Sequence, residues 1–153
     1  MKPKNNTVIF AVYMFVSMVA LFFIMKLFGW EKISELRLLN VFIVAFFSYR
    51  LAKLNATGES NRSSYLGNLS SLMLANLIAV FASAIALLIY VTAIDKTVME
   101  SIGNGFFLGN NLSINQVVIA VVLEGSAVAA IVSFTIMQYW KNTNVKSHSK
   151  KVN

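Results

Sequence analysis

The run LMLANLIAVFASAIALLIYVTAI, residues 72–94, decides the fold. A helix rises about 1.5 Å per residue and the hydrocarbon core of a bilayer is about 30 Å thick, so an apolar run of about 20 residues crosses it. This run is long enough. A second of the same kind, residues 116–140, ends in Tyr139 and Trp140, amphipathic rings of the type that settle at a membrane interface. Composition agrees with this reading. Of 153 residues 58% are hydrophobic and 12% charged, one is proline, and the mean hydropathy is +0.70. A soluble domain of this size has too little interior to hide that much apolar surface, so lipid is the expected solvent.

Two further runs are less plain. Residues 7–30 follow Lys2 and Lys4 in the manner of a signal peptide. The run exceeds an ordinary signal core, however, and bulky Met18 occupies the minus-three position of the one plausible cleavage point, after Ala20. An uncleaved first helix is expected. Residues 36–54 form the weakest span, because Arg37, Arg50 and Lys53 leave only residues 38–49 uninterrupted. This segment crosses if Arg37 snorkels to one face and Arg50 with Lys53 to the other. The expected fold is all-α and polytopic: a single domain, residues 1–153, of four transmembrane helices near residues 7–30, 36–54, 72–94 and 116–140, with a flexible basic tail at 141–153.

Basic residues choose the direction of insertion. Lys2, Lys4, Arg50, Lys53, Arg62, Lys141, Lys146, Lys150 and Lys151 fall on the side of the termini; Lys26, Lys32, Arg37 and Lys96 fall on the other, offset by Glu31, Glu35, Asp95 and Glu100. Nine against four places both termini in the cytoplasm. The net charge of +7 therefore reads as topological rather than as a nucleic-acid surface, since it flanks hydrophobic runs. Asn-x-Ser/Thr triplets at Asn5, Asn55, Asn61, Asn68 and Asn111 fall mostly on that same side and read as accidents of an asparagine-rich composition.

Enzymatic constellations are missing from the composition. With no cysteine and one histidine, His148 in the polar tail, there is no zinc-ligand set, thiol nucleophile or Ser-His-Asp triad to assemble. No Gly-Lys-Ser/Thr phosphate loop occurs. No catalytic residue, metal site or cofactor is expected.

Close helix approach in lipid runs through small residues. The third run carries Ala75, Ala79, Ala82, Ser83 and Ala86 at helical spacing, and the fourth carries Gly125, Ala129 and Ser133 beside Ser126 and Ala130, so these two helices are expected partners, within one chain or between copies. Phenylalanines crowd the first two runs and suit lipid contact. Gly103 to Asn110 forms an apolar knot between glycines, expected at the interface or over the bundle's outer end.

One acid lies inside a span. Glu124 sits about 12 Å below the outer start of its helix, a depth at which a charge faces protein or water. Ser48, Ser83, Tyr90, Asn40 and Lys26 lie near its level, and Lys26 is the candidate to neutralise it. Two roles are open: helix glue, inside the chain or towards another protein, or the lining of a polar path.

The segments Tyr49-Arg50, the Gly58 loop, Tyr65-Leu66-Gly67, Tyr90 to Asp95 and the closing Lys141 complete a familiar layout. The chain resembles the bacterial four-helix membrane proteins grouped as domain of unknown function 4199, found mostly in Bacteroidota, with that family's glycine-rich stretch reduced to Gly58 and Gly67. The resemblance implies a multi-pass protein of the bacterial inner membrane, and no activity. The functional expectation is a non-catalytic small subunit or accessory of a larger envelope complex. Its docking residues would be Glu124, Gly125, Ser126, Ala129, Ser133, Ala75, Ala79 and Ser83, its partners the bilayer with other membrane subunits or its own copies, and no nucleic acid. The alternative is a homo-oligomeric channel or transporter component with Glu124 on a polar path.

Overall fold

The computed structural model describes residues 3–29, 38–57, 65–94 and 113–149. Four helices account for them: α1, Pro3–Leu27; α2, Leu38–Thr57; α3, Tyr65–Ala93; and α4, Ile114–Ser149. Each contains a segment long and apolar enough to cross a membrane, α2 included through Leu38–Ala56. The expected interfacial knot between Gly103 and Asn110, the Gly58 loop and the acidic residues offsetting the outer basic ones lie outside the described residues.

The helix ends differ from the hydropathy boundaries for local reasons. At the start of α4 the Ser113 N–H donates to Gln116 Oε1 at 2.8 Å, the return half of a Ser-x-x-Gln capping box, and the Ser113 hydroxyl donates to the same oxygen at 3.0 Å. That cap fixes the helix two residues ahead of the expected start. At the end of α1, Phe28 N–H bonds to the Ile24 carbonyl, and Gly29, with φ +67°, turns the chain out of the helix. A left-handed φ at that position favours glycine. α3 begins at Tyr65 instead of Leu72, and α4 runs through Ser149 where a flexible tail was expected beyond residue 140. Residues 141–149 hold neither proline nor glycine, so nothing in them breaks the backbone ladder where the apolar run ends.

Neighbours in the bundle are α1 with α2, α2 with α4, α4 with α3 and α3 with α1, and α2 also meets α3 across the diagonal. α1 and α4 therefore occupy the far corners, and α3 is the most enclosed helix. Its buried stripe mixes small and polar residues, Asn68, Ala75, Asn76, Ala79 and Ala84, with the aliphatic Leu69, Leu72, Val80 and Val91, while Leu74, Ile78, Phe81, Ile85 and Ile89 point outward. This arrangement inverts that of a soluble protein. Leaving a Leu, Ile or Phe side chain in water costs roughly 1.5–3 kcal/mol each, so a surface of such residues on all four helices calls for an apolar solvent. The larger buried side chains gather at one end, where Leu51, Leu69, Leu72, Met137 and Trp140 pack around Ala11, Ala52 and Ala75.

Candidate functional site

α3 and α4 pack against each other over much of their length. Ala75, Ala79, Ala129 and Ser133 are all buried, and Gly125 faces Val80 so closely that an added Cβ would stand 2.8 Å from Val80 Cγ1 and 3.0 Å from Cγ2. No real Cβ tolerates that approach, so a side chain larger than hydrogen would separate α3 from α4. Ser126 is half-buried. Ser83 is half-buried too, and its hydroxyl points to Met18 Sδ on α1, 3.5 Å away, rather than to α4.

At the centre stands a residue the sequence did not single out. Asn76 on α3 is 1% exposed; its Oδ1 accepts from the Ser48 hydroxyl of α2 at 2.9 Å, and its Nδ2 donates to Ser133 Oγ of α4 at 3.0 Å. Ser48 and Ser133 are fully enclosed. One amide therefore ties three helices through both of its functions. An asparagine in an apolar run signals some partner, but its two partners, one a donor and one an acceptor, lie on other helices, and spacing along one helix says nothing of them.

Lys26 takes a different position from the one expected. Its ammonium donates to Tyr90 Oη and sits 4.8 Å from that ring's centroid, so α1 and α3 are joined by a hydrogen bond and a cation–π contact together. Phe22 and Phe23 enclose the tyrosine edge-on, with ring centroids 5.2 and 6.1 Å away. At the opposite end Tyr49, Tyr139 and Trp140 form a second aromatic group, with centroids 5.8–6.1 Å apart. Trp140 Nε1 and Asn68 Oδ1 are buried there without a partner among the described residues.

Glu124 is the residue the bundle does not use. Its side chain is exposed on the outer face of α4, and it makes no hydrogen bond or ion pair with any described residue. Helix geometry gives the reason. At about 100° per residue, Ser133, nine positions on, lies about 180° around the helix from Glu124, so the register that puts Ser133 at the centre puts the acid outside. Glu124 and the Gly125, Ala129, Ser133 stripe thus belong to two faces. The expected Lys26–Glu124 pair is not formed, because α1 and α4 stand at opposite corners.

Among the described residues no group of three His, Cys, Asp or Glu comes together. Compared with protein-family models, with curated proteins and with solved structures, the chain gives no match.

Proposed function

We propose that this chain is a non-catalytic, multi-pass subunit of a larger complex in the bacterial inner membrane, and that it docks through the outward face of α4. The observation that carries the reading is Glu124: an acid midway along a helix of membrane-spanning length, exposed, and without a partner among the described residues. A charged side chain at the centre of a lone membrane helix costs about 2.5–3.5 kcal/mol on insertion scales. A second protein surface that hydrogen-bonds the carboxyl removes that cost. The inner face of α4 is already occupied by α3 and α2, which leaves the outer one for assembly.

The direction of insertion follows the basic residues, with both termini cytoplasmic, and the layout resemblance through Tyr49-Arg50, Tyr65-Leu66-Gly67 and Tyr90 supports a bacterial origin. Glu124 lines no path inside one bundle, so a channel or transporter role would need the acid to sit between subunits. Particle size in native membranes tests the docking reading. Glu124→Gln, which keeps hydrogen-bonding capacity, retains the assembled form; Glu124→Leu, which removes it, shifts the chain towards a smaller species. A wild-type chain that runs as a lone monomer when extracted from its own membrane under mild conditions overturns the proposal.

A further inference from the structure

We draw no further inference here: the strongest candidate, the aromatic group of Tyr49, Tyr139 and Trp140 at one end of the bundle, would be marked as a ligand site only by the unpartnered Trp140 Nε1, and that nitrogen lies buried where nothing in the structure shows what would reach it.

Discussion

Replacing Asn76 by alanine asks whether the bundle is held from within by its polar bridge. The side chain is buried and makes two hydrogen bonds, one to α2 and one to α4. Between membrane helices such a bond is worth about 0.6 kcal/mol on average and about 1.7 at most, so the pair contributes roughly 1–3 kcal/mol. The two serines left behind are not stranded, since a hydroxyl inside a helix turns to the carbonyl four residues back. Thr135 and Ser71 do this already, at 2.8 and 3.0 Å. The bond contribution therefore falls in the lower half of its range, about 1–2 kcal/mol. Emptying the amide's volume adds roughly 1 kcal/mol more. Asn76→Ala should lower stability by about 2–3 kcal/mol, and Asn76→Leu, which refills the volume without the bonds, by about 1–2 kcal/mol. Reversible unfolding in mixed micelles measures both. Double-mutant cycles with Ser48→Ala and Ser133→Ala should give coupling energies near 0.6 kcal/mol each. An Asn76→Ala variant within about 0.3 kcal/mol of wild type, or no coupling to either serine, would refute the bridge as a source of cohesion.

Two further predictions concern the contacts on either side of that bridge. Gly125→Ala should destabilise by about 1–3 kcal/mol, since Val80 is branched at the point of contact and has no flexible end to yield; the same unfolding assay should show Val80→Ala recovering part of the loss. Tyr90→Phe should cost about 0.5–1.5 kcal/mol by removing the acceptor for Lys26 while leaving the ring among Phe22 and Phe23, and a Tyr90→Leu variant that costs no more would deny the ring any part in the contact.

The four long apolar helices were legible because lipid imposes a length on any helix that could cross it, and residues 72–94 and 116–140 satisfy that length alone. Helix ends were less so: hydropathy marks where hydrocarbon begins, whereas the backbone continues until a cap or a breaker stops it, as at Gly29, or fails to, as beyond Trp140. Gly125 and Ser133 lie at the α3–α4 contact, where close packing needs small residues whatever else surrounds them. The pairing of Lys26 with Glu124 was argued from depth along the axis, and depth leaves the angle around the helix open. Counting that angle from Ser133 would have put Glu124 outside. Asn76 lay beyond reach for another reason, for its partners are 28 and 57 positions away and are fixed only once three helices have met.

Asn76 also bears on how the molecule is made. A chain is synthesised from its N-terminus, so α4 is the last of the four helices to leave the ribosome. Ser133, which accepts from the Asn76 amide, therefore follows Ser48, which donates to it, in the order of synthesis. The tie among the three helices is therefore complete only once α4 is in place.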